Sequence, residues 1–349
     1  MKVDRKNRVL LMAAPQPDAV ELVRKPLPVL GEGEALVRVE KAGICGTDLH
    51  IVGWNEWASK VYKPPFALGH ELCGEICDIQ GDADFRIGDR VSCETHLACG
   101  TCSQCVAGRG HTCIRLKTFS RIGAGAFCDY TAVPFPLLRK VPREVSDSVG
   151  ACMEPLGISV RAATLAHNVA GSVLVSGCGP IGLFAVAALK ALGAELIIAS
   201  DLSKSRRKLA LKAGARIAID PREENPIETV QKETNGEGVG ATIETSGASN
   251  AITAALQATA VGGTAVMAGL PAGAVSVDIA GQIVLREITL KGIYGRLLAE
   301  TWDRTTSLLE AGLDISPLIT DTYDLEDFEY AIQMARSGQS GKVVFDVRR

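Results

Sequence analysis

The stretch VLVSGCGPIGLFAVAALKAL, residues 173–192, says more about the fold than any other part of the chain. Val173–Ser176 reads as a buried strand, and Ile181–Leu192 is apolar and alanine-rich at helical length. Between them lies Gly177-Cys178-Gly179-Pro180-Ile181-Gly182, a G-x-G-x-x-G turn. That pattern is weak alone but informative when it links a strand to a helix. Gly177 permits the tight turn, Gly179 lets a pyrophosphate approach the backbone, and Gly182 lets helix and strand pack closely. The helix N-terminus, with Pro180 and Ile181, offers free N–H groups and a positive dipole end to phosphates. Asp201 closes the next strand at about the spacing of a ribose-binding carboxylate. It would accept from both ribose hydroxyls and repel a 2′-phosphate, which favours NAD+ over NADP+. Arg206 and Arg207 stand nearby and pull the other way.

Outward from this turn, strands and helices alternate. Strands are expected at Leu196–Ser200, Arg216–Ile219, Ala241–Glu244, Thr264–Ala268 and Thr289–Tyr294. Helices are expected at Lys204–Ala213, Ile227–Thr234 and Ala251–Ala260. Six strands with helices on both faces make a doubly wound parallel sheet, so the class is α/β. Up to about residue 155 the texture differs, with short strand-like runs such as Ala35–Glu40 and Gly88–Ser92 among turns and prolines. The tail adds helices near Leu298–Ala311 and Asp327–Arg336 and a strand at Lys342–Val347.

At 349 residues the chain is long enough for two domains. A hydrophobic fraction of 47% with 36 glycines suits a well-buried α/β protein. The net charge of −3 argues against nucleic acid or an anionic membrane as partner, leaving a small molecule. The uncharged run Asn168–Leu189 has the length of a membrane span, but Ser176–Pro180 breaks it. The opening MKVDRKNRVLLMAAP holds too short an apolar run for a secretory signal. With 11 cysteines, an odd number, a reducing cytoplasm is the expected compartment.

Cys99, Cys102, Cys105 and Cys113 fall in one short segment. Four thiolates so placed suit a closed tetrahedral zinc site that staples a loop. Disulfides and unrelated buried cysteines are the alternatives; the length of the chain speaks against them. A second constellation is spread wider: Cys45, His70, Glu71 and Glu154. Cys45 and His70 are suitable zinc ligands, while Glu71 and Glu154 can each ligate or support from behind.

Taken together, Gly43-Ile-Cys-Gly-Thr-Asp-Leu-His50, Gly69-His-Glu-x-x-Gly74, Gly88-Asp-Arg-Val91, the four-cysteine lobe and the dinucleotide turn resemble the zinc-dependent medium-chain alcohol dehydrogenases nearly end to end. That resemblance implies a GroES-like, mostly-β catalytic domain from residues 1–157 and 296–349. A Rossmann NAD-binding domain would lie at 158–295. It implies two zinc ions per chain. Cys45, His70 and Glu154 would hold a catalytic one, with Glu71 as a nearby or exchanging carboxylate, and the lobe would hold a structural one. Thr47 would take the proton of the substrate hydroxyl and His50 would pass it to solvent. A homotetramer or homodimer is implied, with Thr289–Tyr294 a candidate edge strand.

Ile44–Ile51 with Trp54-Asn-Glu-Trp57, Gly292-Ile-Tyr-Gly-Arg296 with Glu300-Thr-Trp302, and Arg336–Lys342 are similar to the threonine-oxidising subgroup. The implied reaction takes L-threonine to 2-amino-3-oxobutanoate, with His96 and Arg296 steering the amino acid. After Gly157 that subgroup carries Asn-Ala-Val, whereas this chain has Ile158-Ser159-Val160 and then Arg161. The departure keeps a polyol or other amino-alcohol substrate as an alternative. A non-catalytic protein that binds zinc and nucleotide is the alternative of a different class.

Overall fold

A computed structural model describes residues 6–82, 84–169 and 171–348. Contacts divide the chain into two units. The first takes Met1–Glu154, Ile319–Ser337 and Lys342–Arg349; the second takes Pro155–Leu318 and Gly338–Gly341.

In the second unit six parallel strands lie in the order Ile217–Ile219, Leu196–Ser200, Ser172–Ser176, Val239–Glu244, Thr259–Met267, Thr289–Gly292. The order reverses beside Ser172–Ser176, which is where a doubly wound sheet opens a ligand crevice at its carboxyl ends. Leu174, Ile198, Ile219, Val230, Val239 and Ala258 form one buried cluster across the sheet. The helices Pro180–Leu192 and Lys204–Ala213 lie where the alanine-rich and charged patterns put them. The expected strand Thr264–Ala268 begins earlier, at Thr259. Thr259 is β-branched and fully buried, and its hydroxyl lies 2.8 Å from the Ala255 carbonyl and 3.0 Å from the Thr242 hydroxyl. Those contacts end the helix at Ala258 and start the strand at once.

In the first unit the main sheet runs Leu138–Lys140, Arg90–Cys93, Glu71–Gln80, Glu34–Gly43, Lys342–Asp346, Ile319–Asp324, with Tyr130–Pro134 also pairing Glu34–Gly43. A three-stranded sheet joins Val20–Lys25, Asn7–Met12 and Phe66–Ala67. Met12, Val37, Leu72, Ile76, Phe127 and Phe345 belong to one core between them. Antiparallel register sets Gly43 opposite Glu71 on one side and opposite Val344 on the other.

The unit boundary differs from the expected one. It falls between Glu154 and Pro155, within the helix Met153–His167. Residues 296–318 group with the second unit, not with the first as expected. Two contacts account for this. The Ser159 hydroxyl donates to the Ile181 carbonyl at 2.8 Å, and the Arg296 stem lies in the space left by the missing side chain of Gly157. Among the described residues no helix is long and apolar enough to cross a membrane.

Candidate metal centres and nucleotide site

Cys45 ends the strand-to-helix turn before the short helix Gly46–Val52. His70 stands just before the strand Glu71–Gln80 and Glu71 opens it, after Gly69 at φ +83°, where the Phe127 ring leaves no room for a side chain. The ligating atoms of Cys45, His70 and Glu71 all lie within 4.8 Å of one another. Asp48 fixes two of the three: its Oδ2 accepts the Cys45 N–H at 2.9 Å and its Oδ1 lies 3.4 Å from His70 Nδ1. Burial alone would strip a proton from His70. The charge and hydrogen bond of Asp48, helped by Cys45, outweigh it and hold the ring well above its usual value. The negative charge around the ring that favours a proton there would equally favour a divalent cation in the proton's place, and a thiolate, a neutral imidazole and a carboxylate form a zinc donor set.

Glu71 is fully buried, and Lys342 Nζ lies 2.5 Å from its Oε2 while donating to the Ile44 carbonyl at 2.8 Å. Burial acts against the Lys342 charge, but the Glu71 carboxylate more than offsets it and the ammonium stays charged. A Cβ on Gly43 would fall inside the Glu71 carboxylate, so glycine there makes the space for this pair.

Glu154 is not one of the three clustered donors. It is buried, its Oε1 accepts from the Thr95 hydroxyl at 2.8 Å, and its charge adds to the burial that lifts the Glu71 carboxyl. Glu94, which sequence reasoning passed over, is fully buried, and its Oε1 accepts the backbone N–H groups of Thr95 and His96 at 2.8 and 2.9 Å. It thereby shapes the segment that carries both Thr95 and half-buried His96. Thr47 is half-buried in the helix Gly46–Val52, and His50 is exposed near its end.

The four lobe cysteines also gather within 4.8 Å. Cys102 Sγ lies 3.4 Å from Cys105 Sγ and 3.7 Å from Cys113 Sγ, and Cys99 Sγ lies 4.0 Å from Cys105 Sγ. A tetrahedron with Zn–S bonds near 2.3 Å has sulfurs about 3.8 Å apart, so the geometry fits. The Cys99 and Arg115 N–H groups point at Cys113 Sγ, each at 3.3 Å. The Thr101 N–H, with the Arg115 guanidinium, draws the Cys99 thiol down to about 5, toward the thiolate that a metal requires.

In the second unit Gly177 takes φ +86°, and a Cβ on Gly182 would overlap the Gly177 carbonyl. Gly179 caps the helix Pro180–Leu192, with Pro180 and Ile181 in its first turn. Asp201 binds this turn directly: Oδ2 accepts the Cys178 N–H and Oδ1 the Ser203 N–H, both at 2.7 Å. Arg206 donates from Nε to the Ser340 carbonyl at 3.0 Å, and its Nη1 lies beside Gly179. Arg207 is committed elsewhere, to Asp220 at 2.9 Å and to the Asp201 and Leu202 carbonyls. Thr245, also unforeseen, donates to the Gly177 carbonyl at 2.8 Å; the buried carboxylate before it, Glu244, accepts from Ser246 and Gly247. A carboxylate at the carboxyl end of an apolar parallel strand was the available signal.

Ser159 accounts for half of the departure after Gly157: its hydroxyl serves the first turn of the Pro180–Leu192 helix. Arg296 is 1% exposed, and Arg161 donates from Nη1 to the Tyr294 and Gly295 carbonyls just before it.

With this geometry in view, comparison with known proteins defines the class. Residues 31–143 match the alcohol dehydrogenase GroES-like domain and residues 180–311 match the zinc-binding dehydrogenase domain. The chain belongs to the zinc-binding, medium-chain alcohol dehydrogenase family. It is 41% identical to the L-threonine 3-dehydrogenase of Bacillus velezensis over 322 residues, covering 91% of this chain and 93% of that one. Among solved structures it resembles the 2R,3R-butanediol dehydrogenase of Bacillus subtilis (TM-score 0.87, 26% identity, 98% and 99% covered). It also resembles a zinc-binding dehydrogenase of Sinorhizobium meliloti 1021 bound to NADP (TM-score 0.88, 25% identity, 98% and 100% covered).

Proposed function

We propose that this chain oxidises L-threonine at its hydroxyl-bearing carbon to 2-amino-3-oxobutanoate, with hydride passing to NAD+. The observation that carries the reading is the clustered Cys45–His70–Glu71 donor set, in a chain whose other unit presents a complete dinucleotide turn. Similarity to a threonine dehydrogenase supplies the substrate.

Two zinc ions per chain are assigned, one to the four-cysteine lobe and one to Cys45 and His70, with a carboxylate from Glu71 or Glu154. Zinc bound at the second site supplies a Lewis acid for the substrate oxygen. The chain's own residues do the rest. Asp48 orients His70 and the Cys45 backbone. Thr47 accepts the hydroxyl proton and His50 releases it to solvent. Arg296 holds the amino-acid carboxylate by paired N–H bonds, and His96 serves to steer the amino acid. Gly177, Gly179, Pro180, Ile181 and Gly182 form the pyrophosphate cradle, Asp201 takes the ribose hydroxyls, and Arg206 borders the phosphates. The engagement of Arg207 by Asp220 leaves less positive charge for a 2′-phosphate, which supports NAD+ over NADP+.

The assembly we assign is a homotetramer or homodimer that pairs through the exposed edge strand Thr289–Gly292. A cytoplasmic setting agrees with eleven cysteines that form no disulfide among the described residues. A diol or polyol substrate is the second reading, favoured by likeness to the butanediol dehydrogenase. NADH formation with threonine, serine, butanediol and sugar alcohols separates the two. Binding of zinc and NADH with no hydride transfer from any of them to NAD+ would leave only a non-catalytic role.

A further inference from the structure

Asn55 is pinned from two sides. Its Oδ1 accepts the Ala58 N–H at 2.9 Å and caps the helix Glu56–Val61, and its own N–H donates to the His50 carbonyl at 3.3 Å. Trp54, just before it, sits at φ +44°, a left-handed conformation that a bulky residue holds only when its surroundings require it. This turn folds the Asn55 amide back over the imidazole, with Nδ2 at 3.2 Å from His50 Nδ1.

The cap settles which end of the amide faces the ring. Oδ1 is committed as an acceptor at Ala58, so the atom toward His50 is Nδ2, which only donates. Nδ1 of His50 must then accept, and the neutral ring carries its hydrogen on Nε2. Other charged groups on the neighbouring elements are engaged elsewhere. Glu56 and Lys60 pair with each other at 2.6 Å, Arg336 pairs with Asp18 at 2.8 Å, and Asp48 faces His70.

We propose that Asn55 is a positioning residue that sets the tautomer of His50 and so gives the proton outlet a direction. The inference rests on the reading of His50 as the end of the Thr47 relay. A proton arriving at the Nδ1 lone pair displaces the Asn55 N–H, and the hydrogen on Nε2 leaves to water. One proton enters, one leaves, and the ring is neutral again with hydrogen on Nδ1. That hydrogen now opposes the Asn55 donor, and exchange through solvent returns the ring to its starting form. The mismatch resets the relay after each passage.

The test uses full-length, zinc-loaded protein with 15N-labelled histidine. It compares wild type, Asn55→Asp and Asn55→Ser, with His50→Gln to assign the resonance. Both position-55 variants keep a capping oxygen for Ala58. At alkaline pH, where a free imidazole is neutral, wild-type His50 should show the Nε2–H tautomer. Asn55→Asp should carry the hydrogen on Nδ1, and Asn55→Ser should show a mixture. Turnover of L-threonine with NAD+ should fall about tenfold in Asn55→Asp at little changed KM, with a larger solvent isotope effect. An unchanged tautomer in Asn55→Asp, beside a crippled His50→Gln, would overturn this inference alone. Full turnover in His50→Gln would overturn the relay, and the directional role with it.

Discussion

Replacing Lys342 by Met should expose how much the first unit depends on one buried ion pair. Lys342 and Glu71 have side chains 1% and 0% exposed and meet at 2.5 Å. Removing the ammonium takes from the buried carboxylate its closest counter-charge, and breaking such a pair typically costs about 3–5 kcal/mol. For a unit of this size roughly 2–4 °C accompany each kcal/mol, so the first unit should melt roughly 6–20 °C lower. The sign with pH is fixed by Lys342, whose proton is held more tightly in the fold than in the unfolded chain. The lysine's share is complete below its unfolded value near 10.4 and is lost as pH rises toward the higher folded value, so the loss should persist across neutral pH. Scanning calorimetry of wild type, Lys342→Met and the double variant Lys342→Met/Glu71→Gln measures it. The double variant removes the orphaned charge and should recover most of the loss. A single variant that melts within about 2 °C of wild type would refute the reasoning.

On the proposed two-zinc assignment, Cys45→Ser should lower zinc content from two ions per chain to one and abolish turnover while the lobe stays loaded; elemental analysis beside an NADH assay checks both. Cys102→Ser should instead lose the lobe ion and sensitise residues 99–113 to protease, read by limited digestion and mass spectrometry. Asp201→Asn keeps an acceptor for the Cys178 N–H but loses the charge that repels a 2′-phosphate, so the ratio of kcat/KM for NAD+ over NADP+ should fall by about tenfold or more. Burial works to raise Asp346 and Glu326, but the hydrogen bonds from Lys41 and Arg8 prevail and leave both carboxyls below their ordinary value. The stability they confer is present above the unfolded carboxylate value near 4 and is lost as pH falls through the lower folded values. Arg8→Met should therefore flatten the acid limb of an unfolding titration.

The doubly wound sheet was legible because its signals are local: a glycine turn at one strand end, helices of regular length, and apolar strands between them. Leu196–Ser200 and Lys204–Ala213 match their expected bounds, since capping Ser203 and terminating Gly214 mark the helix unmistakably. The four-cysteine lobe was legible for the same reason. What stayed hidden depends on register and on distant partners. Nothing near Glu71 in sequence announces Lys342, which arrives through strand pairing. Glu94 gave no sign that it would hold the backbone of its two successors, and Ser159 looked like a pocket change but binds the nucleotide helix. The unit boundary was misplaced because it cuts a continuous helix, where composition does not change.

The pairing of Lys342 with the carbonyl of Ile44 spans 298 positions. On a ribosome, Cys45, His70 and Glu71 emerge long before the strand that neutralises Glu71 and completes their sheet. Until that strand is made, the carboxylate lacks the ammonium that lies 2.5 Å from it in the folded unit. Metal loading at this centre should thus come late in synthesis, and ribosome-bound chains halted before Lys342 should retain zinc in the lobe well before they retain it here.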